Sequence, residues 1–231
     1  MKKSAAIGVA IAAISLTVGL VGCGKESKPS SSSSSSSTSA STSVSTTASA
    51  PSTSAQASGP NQTIADYIKQ NNIQETTISH STPGAPTIDM PVPDGWNKIP
   101  ESPDAPYGGV VFATPTDPND PPKIIAILEK LTGNVDPDKL LSLAPGEIKN
   151  LPGYDGGDGE KNTLSGFPAY QLGGNYMKNG TQRVVAQKTV VIQAKDGLYV
   201  LQLNAEGPEP DKTPLMDATN VIDDKATITV S

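Results

Sequence analysis

The chain has 231 residues, with 17 basic and 23 acidic side chains, one Cys, one His and one Trp. The net charge of -6 argues against a nucleic-acid partner, because phosphate binding requires clustered Lys and Arg. One Cys excludes an internal disulfide, and one His excludes any metal site built from several imidazoles.

The N-terminal residues have the pattern of a secretory signal. Lys2 and Lys3 precede an apolar run from Ala5 to Val21, which is shorter than the roughly 20 residues that a membrane-spanning helix needs. The run ends in Leu-Val-Gly followed by Cys23, which is similar to the lipobox of bacterial lipoproteins. We predict a signal peptide over residues 1–22 and attachment of a diacylglycerol to the thiol of Cys23.

This anchor predicts the location of the mature protein. Removal of Lys2 and Lys3 changes the net charge from -6 to -8, and an acidic domain is repelled by anionic lipid. The acyl group on Cys23 would therefore hold the protein, because two acyl chains anchor firmly. We expect a lipid-anchored protein on the extracytoplasmic face of the cell membrane.

The next segment has the composition of a tether. Residues 27–58 are almost entirely Ser, Thr and Ala and contain no aromatic residue, so they cannot bury enough apolar surface to offset the entropy of ordering. We predict a disordered tether over residues 23–59 and one globular domain over residues 60–231, where all the aromatic residues lie.

Three short helices are predicted in the domain. Thr63 and Asp66 have capping-box spacing, which predicts a helix to about Asn71. A second helix is predicted from Asp136-Pro137 through Leu143, and a third from Thr213-Pro214 through Ile222.

The strand signals are stronger. Apolar runs predict strands over Gly109–Ala113 and Ile124–Leu131, and Asn179-Gly180 and Asp196-Gly197 predict tight hairpin turns. The turns divide a predicted antiparallel meander into three strands, which are Phe167–Lys178, Thr181–Ala194 and Leu198–Ala205. In the last strand, apolar residues alternate with Gln202 and Asn204, which predicts one buried face and one wet or partner-facing face. The fold class is α+β, an antiparallel sheet flanked by short helices.

Several segments resemble a known family in order along the domain. They are Asn61 to Ile68, Ile88 to Trp96, Ala105 to Gly109, Lys130 to Gly133, Leu172 to Gly174 and Ala186 to Ile192. Together with the lipobox and the tether, they resemble the LpqN family of mycobacterial lipoproteins. The Pro-Val-Pro-Asp-Gly-Trp segment also resembles the Mog1/PsbP-like fold, an α/β/α sandwich around an antiparallel sheet.

The resemblance implies a non-enzymatic accessory protein of the cell envelope. It implies binding of trehalose-type glycolipids, partnership with MmpL-type transporters and mycolyltransferases, or both, and it transfers no catalytic residue and no cofactor. The alternative is a protein–protein interaction module without a lipid ligand, which includes a host-directed role. We expect a loop over Pro208–Asp211. This loop and the tether are the segments in which the chain would depart from the family pattern, so partners that bind through loops would differ from those of the family.

The sequence contains no residue pattern that is typical of a catalytic site or a metal site. His80 lies in a Ser/Thr/Pro-rich stretch that is typical of an exposed loop, and no Gly-x-Ser-x-Gly motif accompanies it. Asp155, Asp158 and Glu160 lack the register of a calcium loop and indicate a solvated acidic segment. We therefore expect no catalytic residue and no bound metal.

Five residues are candidates for a ligand groove. Trp96, Tyr107, Tyr170 and Tyr176 could give a sugar or acyl chain an apolar platform, although core packing explains each of them as well. Lys188 interrupts an apolar strand face, so it either extends past the sheet edge to solvent or places a charge at the mouth of a cavity for a polar head group.

Overall fold

The first two helices begin where the sequence supplies a cap. The computed structural model describes residues 59–230. Helix α1 (Ile64–Gln70) has the predicted capping box, in which Thr63 Oγ1 accepts from the Asp66 N–H and the Asp66 carboxylate accepts from the Thr63 N–H. Helix α2 (Pro137–Leu143) follows Asp136, whose carboxylate accepts from two backbone N–H groups of the first turn.

The other two helices differ from the prediction in detail. Helix α3 (Pro145–Lys149) directly follows α2 and was not predicted. Helix α4 (Lys212–Lys225) extends the predicted third helix at both ends. The expected loop before it is a 3-10 turn over Glu209–Asp211, held because the buried Asp211 carboxylate accepts from the backbone N–H and hydroxyl of Thr116.

Eleven strands lie within residues 59–230. They are β1 (Gln74–Ile78), β2 (Thr87–Asp89), β3 (Trp96–Ile99), β4 (Gly109–Phe112), β5 (Lys123–Thr132), β6 (Asp155–Gly156), β7 (Glu160–Leu164), β8 (Phe167–Lys178), β9 (Thr181–Ala194), β10 (Gly197–Pro208) and β11 (Thr227–Thr229). The main antiparallel sheet has the order β3-β4-β5-β10-β9-β8-β6, with β1 also paired to β5 and β7 to β8. Strands β2 and β11 form a separate pair.

One predicted hairpin turn is confirmed and the other is shifted by a residue. Asn179 and Gly180 have φ of 53° and 79°, as the mirror-image turns of two-residue hairpins require. In the second hairpin, Gly197 pairs with Ala194, so Lys195 and Asp196 form the turn instead of Asp196 and Gly197. Neither turn residue has a positive φ, while Gly197 has φ of 151°.

Helices cover both faces of the main sheet. On one face, α4 buries Leu215, Ala218 and Ile222 against β5, β9 and β10. On the opposite face, α1 and α2 bury an apolar cluster that includes Tyr67 and Leu140. The predicted α/β/α sandwich is therefore confirmed.

The expected wet side of β10 lies under α3. Gln187 Nε2 donates to Asn204 Oδ1 at 2.9 Å and to Glu147 Oε2 at 3.1 Å, and Gln202 Nε2 lies 3.4 Å from the same carboxylate oxygen. Because Glu147 belongs to α3, this helix occupies the surface that the alternation of β10 suggested would meet water or a partner.

The beginning of the described chain is fastened to the end of α3. The backbone N–H and the side-chain amide of Asn61 both donate to Asn150 Oδ1 at 3.0 Å, and Asn150 Nδ2 donates to the Asn61 carbonyl at 2.8 Å. The predicted signal peptide, Cys23 and nearly all of the tether lie outside residues 59–230. Within that range, no helix is long and apolar enough to cross a bilayer.

Candidate functional site

A row of small residues crosses the sheet beneath α4. Gly173 on β8 pairs with Ala186 on β9, and Ala186 pairs with Ala205 on β10. On the next row in the same face, Gln171 pairs with Lys188, and Lys188 pairs with Leu203. Because helices pack on whatever side chains the sheet presents, a row without bulk leaves space between the sheet and α4.

That space is a cavity of about 360 Å³, named here the α4 cavity. Its floor combines the small row with Ile124 and Leu203. The β6–β7 connection borders it through Gly157 and Gly159, and β7 borders it through Glu160. Helix α4 contributes both apolar and polar groups to the roof, which are Met216, Thr219, Asn220, Ile222 and Asp223. The cavity therefore has an apolar floor beside a set of polar side chains.

Lys188 supplies the positive charge of this cavity wall. Its Nζ lies 2.8 Å from Asp223 Oδ1, and the two side chains are 7% and 30% exposed. Strand β9 lies inside the sheet between β8 and β10, so Lys188 does not extend past a sheet edge to solvent. It meets a carboxylate on α4, because an ammonium group buried without a partner is strongly destabilising.

A second polar pair lies beside the first. Gln171 is directly opposite Lys188 on the neighbouring strand, and its Nε2 donates to Glu160 Oε1 at 3.0 Å. All four side chains line the α4 cavity. The cavity wall therefore presents two neighbouring donor–acceptor pairs.

The four aromatic candidates do not line this cavity. Trp96 is buried and packs against Phe112 with ring centroids 5.5 Å apart, at a second cleft of about 310 Å³. Tyr170 is partly buried, and its hydroxyl donates to the Asp158 carbonyl at 2.7 Å.

Tyr107 and Tyr176 have structural contacts of their own. The Tyr107 hydroxyl accepts from the buried Ile88 N–H at 3.1 Å. Tyr176 donates to the Glu206 carboxylate, which also accepts from Lys178 and Arg183. The five candidates are therefore not assembled into one groove, and a ligand role for each of them stays a prediction.

The Glu206 cluster is a partly buried charge network. Burial disfavours the charged form of Glu206, but the hydrogen bonds from Tyr176 and Lys178 and the charges of Arg183 and Lys178 outweigh it and lower the pKa to about 2. Arg183 also pairs with Asp120, which fastens the β4–β5 connection to β9. This network stabilises one end of the sheet.

His80 lies in a different part of the molecule from the α4 cavity. Its Nδ1 is 2.5 Å from Glu101 Oε1, and its ring stacks on Tyr107 with centroids 4.0 Å apart. The side chain is 44% exposed, in agreement with the expected surface position. The acidic segment is likewise at the surface, where Asp158 forms an ion pair with Lys149 at 2.6 Å.

Local sequence patterns do not identify the polar residues of α4 as cavity residues. Thr219, Asn220 and Asp223 reach the cavity only through the packing of α4 on the sheet, which no local pattern specifies. One signal was present, because Gly173, Ala186 and Ala205 interrupt three predicted neighbouring strands with small side chains. The predicted Asn179-Gly180 turn places Gly173 beside Ala186, but the predicted Asp196-Gly197 turn would place Gly207 beside Ala186, so only the shifted turn of the structure brings Ala205 into the row.

The chain and its fold belong to a defined class of protein. Residues 60–229 match the family model described as probable lipoprotein LpqN, so the chain belongs to the LpqN family of lipoproteins. It is 59% identical over 221 residues to lipoprotein LpqN of Mycobacterium tuberculosis strain H37Rv, covering 95% of this chain and 97% of the relative. The family resemblance found in the sequence is therefore confirmed.

Two further comparisons give a solved structure and a more distant relative. The crystal structure of LpqN, described as involved in cell envelope biogenesis of Mycobacterium tuberculosis, has a TM-score of 0.73 and 62% identity, covering 74% of this chain and 99% of that chain. A proline-rich 28 kDa antigen homolog of Mycobacterium leprae is 23% identical over 169 residues, covering 73% of this chain and 60% of the relative. The LpqN structure confirms the α+β fold class.

Proposed function

We propose that this protein is a non-catalytic accessory protein of the cell envelope that holds a trehalose-type glycolipid in the α4 cavity. Cys23 anchors it by diacylglycerol to the extracytoplasmic face of the membrane. The observation that carries the proposal is a cavity with an apolar floor and two polar pairs in its wall. An amphiphile matches both parts, because its acyl chain and its head group need different surroundings.

The size of the cavity suits partial enclosure of such a ligand. About 360 Å³ is near the lower end of the range for small-molecule sites, which is roughly 300 to 1,000 Å³. The apolar contacts would come from aliphatic side chains such as Leu203, Met216 and Ile222. A lipid would bury one segment here and leave the remainder accessible, which suits a protein that passes its ligand to another.

The family supports an envelope role. The relative from Mycobacterium tuberculosis is a lipoprotein whose structure is described as involved in cell envelope biogenesis. A lipid-binding domain on the outer membrane face would receive glycolipid from MmpL-type transporters and present it to mycolyltransferases. These partners are part of the proposal.

Filling the cavity tests the ligand. Ala186→Leu places a large side chain in the small row, and we expect the affinity for trehalose monolaurate, measured by isothermal titration calorimetry, to fall about tenfold or more. Ala194→Leu is the matched control, because Ala194 lies on the same strand and face but outside the cavity lining. Circular dichroism melting would verify that both variants fold. Equal binding by Ala186→Leu and the parent, or no binding by the parent, would contradict the proposal.

A second candidate function is supported by the Trp96 cleft. Val92, which is 46% exposed, lies on this cleft together with Phe112 and Pro214. Exposed apolar side chains beside a cleft are typical of protein docking surfaces. This cleft would serve an interaction module that acts without a lipid ligand, in the envelope or toward a host protein.

Substitution of Val92 tests the docking surface. Val92→Asp should weaken binding to a purified mycolyltransferase in biolayer interferometry if the cleft is the contact surface. Met177→Asp is the control, because Met177 is similarly exposed at 40% but does not line the cleft. Equal effects of the two substitutions would remove the cleft from consideration.

A further inference from the structure

The Trp96 cleft has one wall that the sequence holds rigid. Val92 lies between two prolines, which fix their own φ and favour an extended backbone at Val92. The next residues form a tight turn, in which the Trp96 N–H donates to the Pro93 carbonyl at 3.0 Å and Gly95 has φ of 79°. This wall therefore presents Val92 and Asp94 on a fixed backbone, so binding here would cost little conformational entropy.

Helix α4 supplies the other wall from one stripe of its surface. The stripe has the three- and four-residue spacing of a single helix face and consists of Pro214, Asp217, Val221 and Lys225. Trp96 and Phe112, whose rings pack on each other, also line the cleft. The lining therefore combines aromatic and aliphatic side chains with charged ones.

The three charged side chains of this cleft have no partner within residues 59–230. Asp94, Asp217 and Lys225 are exposed, and in that range none of them forms an ion pair or a side-chain hydrogen bond. Elsewhere in the domain, charged groups at the surface do pair, as Lys130 does with Asp196 at 2.7 Å. The two carboxylates of the cleft are therefore available to the charges of a partner.

We infer that the Trp96 cleft docks an extended protein segment in which an apolar side chain is flanked by Lys or Arg. The apolar side chain would pack beside Val92 and Trp96, and the flanking cations would lie near Asp94 and Asp217. The inference rests on the second candidate function and specifies the chemistry of its partner.

The charge of the chain favours the same partner. Two acidic side chains and one basic side chain line the cleft, and the net charge of the whole chain is -6. Such a field attracts a basic segment at long range and repels an acidic one. The same field opposes contact with anionic lipid, so a basic protein segment fits this cleft better than an anionic membrane surface does.

Three pentapeptides test the charge of the partner. Each has a central Leu between two prolines and blocked termini, and the first and last residues are both Lys, both Gln or both Glu. The protein is the mature chain with Cys23→Ser, and the NMR signals of Val92 and Trp96 are followed during titration. We expect the Lys peptide to bind about threefold or more tightly than the Gln peptide, and the Glu peptide to bind weakest. Salt at about 0.5 M should remove the difference, because it screens exposed charges.

Substitutions of opposite sign should move this preference in opposite directions. Asp94→Asn combined with Asp217→Asn should abolish the preference for the Lys peptide, whereas Lys225→Gln should increase it. The matched control is Asp138→Asn combined with Asp155→Asn, which removes two exposed charges outside the cleft and should keep the preference.

The outcomes separate the inference from the second candidate function. Equal affinities of the Lys and Gln peptides, or a preference that survives Asp94→Asn with Asp217→Asn, would overturn the inference and leave the docking surface to the Val92→Asp test. Absence of Val92 and Trp96 shifts with every peptide would overturn both.

Two further results would assign the cleft to another occupant. Shifts of the Val92 and Trp96 signals that depend on the concentration of the protein alone would assign it to a second copy of the chain. Shifts with phosphatidylcholine vesicles would assign it to the membrane surface. Either result would overturn the inference.

Discussion

Glu129 is a carboxyl group in unusual surroundings. It lies on β5 opposite Thr77 of β1 and Val200 of β10, on the face that α1, α2 and α3 cover. Burial, a hydrogen bond with Glu75 and the negative charges of Glu75 and Glu147 raise its pKa to about 9. At neutral pH the folded protein therefore keeps a proton on Glu129 that the unfolded chain releases.

This proton makes the free energy of unfolding depend on pH. Because the folded pKa is above the unfolded value, the stabilisation is complete below about pH 4.5 and decreases as the pH rises toward 9, by up to about 1.4 kcal/mol per pH unit. We predict that urea unfolding gives a larger free energy at pH 5 than at pH 8. Glu129→Gln, which keeps the neutral hydrogen-bonding shape, should flatten this slope.

The opposite trend is expected in acid. The Glu206 pKa is lowered to about 2, so its stabilisation is present above its ordinary pKa and is lost as the pH falls toward 2. Glu206→Gln is thus a control that alters the acid limb and leaves the slope between pH 5 and 8 in place. A slope that survives in Glu129→Gln would show that another group binds the proton.

Individual elements differ in how far the sequence determines them. The β8–β9 hairpin is confirmed to the residue, because Asn179-Gly180 fixes the register of two long β-branched strands. The starts of α1 and α2 follow equally local signals. In contrast, β6 is two residues long and depends on pairing with β8, so no pattern of its own predicts it.

The candidate site was harder to predict than the fold. Lys188 was recognised as an outlier from its strand, but Asp223 is 35 positions away and meets it only after α4 packs on the sheet. The aromatic candidates follow from the chemistry of their side chains, whereas the cavity arises from positions with small side chains. Sequence patterns predict which large side chains are buried. They do not predict where packing leaves a cavity.

Helix α3 packs against the start of α1 through a glycine. A Cβ at Gly146 would lie 2.1 Å from the Gln62 carbonyl oxygen, which is a backbone atom that cannot move away easily. Alanine is ordinarily favoured over glycine in a helix by about 1 kcal/mol. At this position the steric conflict should outweigh that preference.

We predict that Gly146→Ala destabilises the domain by about 1 to 3 kcal/mol in urea unfolding, as overpacking does in tight interfaces. Ser142→Ala in α2, at an exposed position, is a suitable comparison and should change the stability by less than about 0.5 kcal/mol. Increased stability of Gly146→Ala would show that α1 and α3 separate without cost.

For the whole molecule, the anchor and the domain are predicted to have separate tasks. Under the proposed function, membrane attachment would depend on acyl chains at Cys23, and the domain would supply the binding site. We predict that Cys23→Ala moves the protein from the membrane fraction to the soluble fraction of cells, detected by immunoblotting. The purified variant domain should keep the melting temperature and ligand affinity of the parent, since position 23 precedes the domain. Retention of Cys23→Ala in the membrane fraction would point to another attachment.

The hydrogen bonds between Asn61 and Asn150 acquire a mechanical meaning if the protein is held at Cys23. A pull along the chain reaches the domain at Asn61, whose three bonds to Asn150 pass the load to the end of α3. Such a pull would therefore enter the domain on the face that α3 covers. The cavity under α4 lies on the opposite face of the sheet, away from that point of entry.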